Sequence, residues 1–149
     1  MECNKSYLMY FILFGIIAVI VVFFVIPNGG NKVLECHMEN DETGIMTYWD
    51  VEVIYENGKM SKVNNLVKLD ISEDYGRRAS YEYSMKKDFG EYEDLGFELD
   101  VYIEDKMVIA EMSGTNDTLN KELVYYNNVK SLKKHFEKEG YICKLEELK

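Results

Sequence analysis

The chain has one proline, three cysteines, two histidines and one tryptophan among its 149 residues. His37 and His135 are isolated, no C-x-x-C pair or H-x-x-x-H spacing occurs, and a zinc-type centre is therefore not expected. A Gly-rich phosphate loop and a G-x-S-x-G elbow are also missing, and Ser72 and Ser113 have no neighbouring base. No cofactor is expected, and nothing forms a recognisable catalytic constellation. Scarcity of proline beside 12 tyrosines and 7 phenylalanines excludes a disordered or low-complexity chain. Basic side chains are few as well: 17 Lys and Arg against 27 Asp and Glu give a formal net charge of -10. A surface of that sign repels phosphate, which excludes nucleic acid and an anionic membrane surface as partners.

Charge is absent altogether from residues 7–26, an apolar run of about twenty residues, long enough as a helix to cross a hydrocarbon core of about 30 Å. A cleaved signal peptide is the rival reading, but its apolar region is shorter, about 7 to 15 residues, and ends at a small-x-small site. Here the run ends at Pro27, followed by Asn28, Gly29, Gly30 and Asn31. The expected division is a cytoplasmic N-terminus at 1–6, a transmembrane signal anchor at 7–26, a stalk at 27–32 and an extracytoplasmic domain at 33–149. Lys5 and the terminal amine place the N-terminus inside and the domain outside, in a single-pass plasma-membrane protein.

Cys3 precedes the span and is cut off from Cys36 and Cys143 beyond it. If the domain is outside, those two lie where a disulfide persists, closing a loop of about a hundred residues for on the order of 4 to 5 kcal/mol. Two reduced, buried thiols are the alternative, favoured if the orientation is reversed.

Within the domain, Trp49, Val51, Val53 and Tyr55 alternate with polar neighbours, and Val63, Val67, Leu69 and Ile71 do the same after Asn57-Gly58. Matching these apolar sets requires odd positions to face odd ones, which predicts a three-residue loop or a bulge near Asn57-Gly58. Ser72 is expected to cap a helix over 73–89, with Tyr75, Ala79, Tyr83 and Lys86 on one stripe and Tyr81, Met85 and Phe89 on the next, ended by Gly90. A cleaner hairpin follows: Asp105-Lys106 as a two-residue loop pairs Ile103 with Val108, Val101 with Ala110 and Leu99 with Met112. After a short apolar piece at 123–126, a last helix over 128–139 buries Val129, Leu132 and Phe136. The order β-β-β-α-β-β-α, with a short terminal segment at 141–144, describes an α+β domain of two layers, an antiparallel sheet with helices on one face.

The outward strand positions collect carboxylates. Asp100 falls opposite Glu111, a like-charge pair that costs stability unless offset, and Asp50, Glu52, Glu98 and Glu104 join it. Solvation or a lysine such as Lys62 or Lys68 offsets it in one reading, a weak calcium-type site in the other. Tyr48 and Tyr102, outward and close to Ile54 and Ile109, mark a candidate binding patch, while the other tyrosines are assigned mostly to the core.

A strand ending in Tyr55-Glu56-Asn57-Gly58-Lys59 before Val63, and a closing run Phe136-Glu137-Lys138-Glu139-Gly140-Tyr141-Ile142-Cys143-Lys144, resemble the small YehR-like cell-surface lipoproteins of bacteria. The resemblance implies an α+β envelope domain and carries over no catalytic residues. Glu35 before Cys36 departs from the family's lipobox. The expectation is a membrane-anchored, non-catalytic domain that binds another envelope protein or component. The alternatives are a small envelope hydrolase using Asp100 and Glu111, and a membrane-assembly or signalling subunit.

Overall fold

In a computed structural model of the protein, residues 30–41, 44–119 and 128–148 are described. The apolar run at 7–26, Cys3 and the apolar piece at 123–126 lie outside these residues. No helix among the described residues is long and apolar enough to cross a membrane.

Antiparallel pairing starts from local turn chemistry. β2 (Thr47–Glu56) and β3 (Lys59–Asp70) are joined by Asn57-Gly58, both at positive φ (52° and 76°) as a tight hairpin of right-handed twist requires. The register then shifts between Ile54 and Tyr55, because Ile54 pairs with Lys62 whereas Tyr55 pairs with Met60. Ser61 is the extra residue, and its hydroxyl donates to the Ile54 carbonyl at 3.3 Å. This bulge lets a two-residue turn coexist with Val53 facing Val63 and Trp49 facing Val67, so both apolar sets share one face. In the second hairpin, β4 (Glu98–Glu104) and β5 (Met107–Thr115) pair in the expected register around Asp105-Lys106.

β1 (Lys32–Asn40) pairs with β2 along its whole length, and β6 (Ile142–Glu147) pairs with the other side of β1. The sheet takes in Lys32, the last residue of the stretch read as stalk. β6 lengthens the terminal segment expected at 141–144 into a true edge strand. With β3 bonded to β5, the six strands form one antiparallel sheet in the order β4-β5-β3-β2-β1-β6. Cys36 and Cys143, register partners on β1 and β6, form a disulfide.

The described helices all pack on one face. α1 (Arg78–Phe89) lies over β4 and β5, a short α2 (Glu91–Asp94) follows, and α3 (Val129–Lys138) lies over β1 and β6. Two expectations are corrected at α1. Ser72 does not cap it: Asp70 Oδ1 accepts from the Ser72 amide at 2.9 Å and from its hydroxyl at 2.5 Å. The chain therefore turns through a 3-10 stretch, Ser72–Arg77, with a non-helical Asp74, before the α-helix begins. Gly90 adopts φ -58° and leads into α2 rather than ending the helical region. At α3 the Asn128 side chain accepts from the Ser131 amide at 3.1 Å, and Leu132 and Phe136 are buried.

The core lies between sheet and helices. Leu34, Val53, Tyr55, Met60, Val67, Val108, Ala110 and Met112 supply the sheet side, and Met85, Phe89, Leu132 and Phe136 the helix side. An aromatic run, Trp49, Phe89, Tyr92 and Phe97, links them with ring centroids about 6 Å apart. Gly96, at φ 90°, passes so close to the 116–119 turn that a Cβ there would sit 1.9 Å from the Thr118 carbonyl oxygen. Not all tyrosines reach the core: Tyr55, Tyr92 and Tyr141 do, whereas Tyr75 and Tyr83 are exposed on the helix layer.

Tyr55 carries a cost into that core. Its hydroxyl is buried without a hydrogen-bond partner among the described residues, and burial pushes its pKa well above the usual phenol range. Tyr55→Phe is expected to leave stability unchanged or raise it by about 1 kcal/mol, since it removes an unsatisfied polar atom at constant shape. Chemical denaturation of the two proteins measures this, and a loss above about 1 kcal/mol would mean the hydroxyl is satisfied.

Candidate functional site

With the described helices on one face, the opposite face of the sheet is left uncovered by them. Strand alternation places its side chains in cross-strand rows. One row runs Asp100, Glu111, Leu66, Asp50, His37, Ile142 across all six strands. The next runs Glu98, Ser113, Asn64, Glu52, Glu35, Lys144. These two rows line a shallow trough of about 960 Å³.

The structure thus brings Asp50, Glu52, Asp100 and Glu111 onto one face, with Asp100 and Glu111 adjacent and both exposed. Each of the other contacts is specific. Glu111 accepts a hydrogen bond from the Tyr102 hydroxyl at 2.7 Å, which pushes the Tyr102 pKa up to about 12. Glu52 accepts from the Asn64 side-chain amide at 2.5 Å. Asp50 lies 2.6 Å from Nδ1 of His37, whose Nε2 is 3.3 Å from Glu39. No ion pair joins Lys62 or Lys68 to these carboxylates among the described residues. Nor do any three His, Cys, Asp or Glu side chains there gather closely enough to hold a metal ion.

Tyr48, Tyr102 and Ile109 occupy a third row, Tyr102, Ile109, Lys68, Tyr48, Glu39. Tyr102 and Ile109 are neighbours, and Lys68 separates Ile109 from Tyr48. His37 is the participant that its isolation in sequence concealed. Its place beside Asp50 follows from the β1–β2 register, and the alternation of His37 with Glu35 and Glu39 is the signal that points to it.

The His37 contacts have a measurable consequence. Hydrogen bonds first to Asp50 and then to Glu39 raise its pKa above the ordinary 6.5. A raised folded-state value means the stabilisation is fully present below the unfolded pKa and is lost as pH rises through the folded one. NMR titration is expected to show His37 titrating above 6.5, and Asp50→Asn is expected to lower that midpoint. An unchanged midpoint in the variant would dissociate the two groups.

The fold and site define a two-layer α+β domain with an open, acidic sheet face. No family model matches the chain, and no curated protein matches it. A solved NMR structure of a protein from Streptococcus pneumoniae TIGR4 is similar at 12% identity and a TM-score of 0.45, covering 83% of this chain and 91% of that one.

Proposed function

We propose that the protein is a membrane-anchored, extracytoplasmic, non-catalytic domain of a bacterial envelope, resembling the YehR-like surface proteins, and that it binds a protein partner through the open face of its sheet. The observation that carries the binding is the trough itself: two side-chain rows spanning six strands, rich in carboxylates and left uncovered by the described helices. Exposure of both Asp100 and Glu111 supports binding over acid-base chemistry, which favours carboxyl groups shielded from water. The apolar run at 7–26 supports anchoring, and a disulfide linking Cys36 to Cys143 suits an oxidising compartment.

Location and binding are tested separately. In intact cells producing a Cys3→Ser chain, an impermeant thiol reagent is expected to label the domain only after reduction. Labelling without reductant would remove the disulfide, and no labelling after reduction would remove the outside placement. A photo-reactive side chain substituted at Glu98 is expected to cross-link a protein partner, whereas the same group at Lys106 is not. Equal capture at both positions, or none at Glu98, would end the reading of the face as a binding surface.

A further inference from the structure

α1 and the 3-10 turn before it show a second unpartnered surface, on the opposite side of the molecule. Tyr75 is 40% and Tyr83 71% exposed, with exposed Ala79 between them. The stripe that helical spacing assigns to the core therefore faces solvent. It is framed by cations: the Arg78 guanidinium stacks over the Tyr75 ring at 4.9 Å, and Lys87 lies one turn beyond Tyr83. Arg77 pairs with Asp74 and Lys86 with Glu82, but Arg78 and Lys87 have no carboxylate partner among the described residues. On a chain of net charge -10, a stripe of tyrosines edged by unpaired cations is the electrostatic opposite of the open sheet face.

We propose that the chain associates with itself head to tail, the tyrosine stripe of α1 on one copy seating in the acidic trough on the next. The proposal rests on the open face as a binding surface and supplies its occupant. Charge selects the second copy: Arg78 and Lys87 meet a floor that carries Glu52, Glu98, Asp100 and Glu111. Apolar surface is matched too, because the trough holds Leu66 at its centre and Ile142, 80% exposed, at one end. Shape agrees: α1, with 12 residues, is about 18 Å long, and a row across six strands spans about 24 Å. Because the two surfaces lie on opposite layers, the contact is heterologous and each copy keeps one surface free for another neighbour.

The test uses full-length chains in mild detergent. Wild-type protein carrying two different tags is expected to co-purify with itself and to show concentration-dependent sedimentation that salt weakens. Arg78→Glu with Lys87→Glu removes the helix surface, and Glu98→Lys with Asp100→Lys removes the trough. Each pair of changes is expected to weaken self-association at least about tenfold, while mixing the two variants restores a dimer that grows no further. Lys59→Glu with Lys106→Glu, the same charge change at hairpin tips, leaves association intact. All six substituted positions are exposed, and circular dichroism of each variant checks that folding is retained. A monomeric wild type, a mixture that stays monomeric, or variants that associate as wild type does would each overturn the proposal. Capture of a different protein at Glu98 by a chain that does not self-associate would leave the binding face standing and remove only this occupant.

Discussion

Gly96→Ala will lower the stability of the domain by about 2–4 kcal/mol, measured as a shift in the denaturant midpoint at unchanged slope. Two independent terms add. The φ of 90° is a backbone conformation that alanine adopts only under strain, and the added methyl would lie 1.9 Å from the Thr118 carbonyl oxygen. Backbone, unlike the end of a flexible side chain, cannot swing aside, so the 116–119 turn or the start of β4 has to move. Displacing that turn also disturbs Leu119, which is buried against Gly114. Gly76→Ala provides the comparison, since nothing lies within 4 Å of a Cβ at that position. A near-neutral result at Gly76 beside a near-neutral result at Gly96 would mean that the close approach of the two chain segments is absent.

Replacing both bridged cysteines, Cys36→Ser with Cys143→Ser, is expected to cost about 2–5 kcal/mol relative to the oxidised protein. The bridge closes a separation of 107 residues, and cross-linking so long a loop removes much of the freedom of the unfolded chain. β6 depends on it further, because among the described residues it is an edge strand paired with β1 alone, and three of its residues, Lys144, Glu146 and Glu147, carry exposed charges. Reductant should bring the wild-type denaturation curve onto that of the variant. Coincident curves for oxidised and reduced wild type would show that the bridge contributes nothing to stability.

The register of the second hairpin was legible because Leu99, Val101 and Ile103 can match Met112, Ala110 and Val108 in only one way that keeps a single face apolar. The first hairpin was legible to the same degree in its pairing, but not in its device: hydrophobic pattern demands odd against odd, and it does not say whether a longer loop or an extra Ser61 supplies the offset. The full length of β6 is not legible in Ile142-Cys143-Lys144-Leu145 alone, because its strand character comes from β1 and the bridge. Which stripe of α1 turns inward is not legible, for a chemical reason. Tyrosine at helical spacing satisfies a core pattern and a wet surface equally well, and the pattern does not say which of two adjacent stripes turns inward. Among the site residues, the Asp100–Glu111 adjacency followed from hairpin register, whereas the His37–Asp50 contact required the long-range choice of β1 beside β2.

The placement of β1 between β2 and β6 has a mechanical meaning. Asn31 holds the Leu148 amide through its carbonyl at 2.9 Å and the Asn57 amide through its side chain at 3.2 Å, so the chain enters the sheet clamped on both sides. Tension applied at Lys32 runs along the strand and loads both ladders in shear, with their hydrogen bonds sharing the force instead of opening one at a time. If those bonds yield, extension reaches only as far as Cys36, where the covalent link passes the load to β6. The domain is therefore built like a fastening with a mechanical stop: a pull from its N-terminal side can loosen four residues of β1, Lys32 to Glu35, before it meets a bond that tension of this kind does not break.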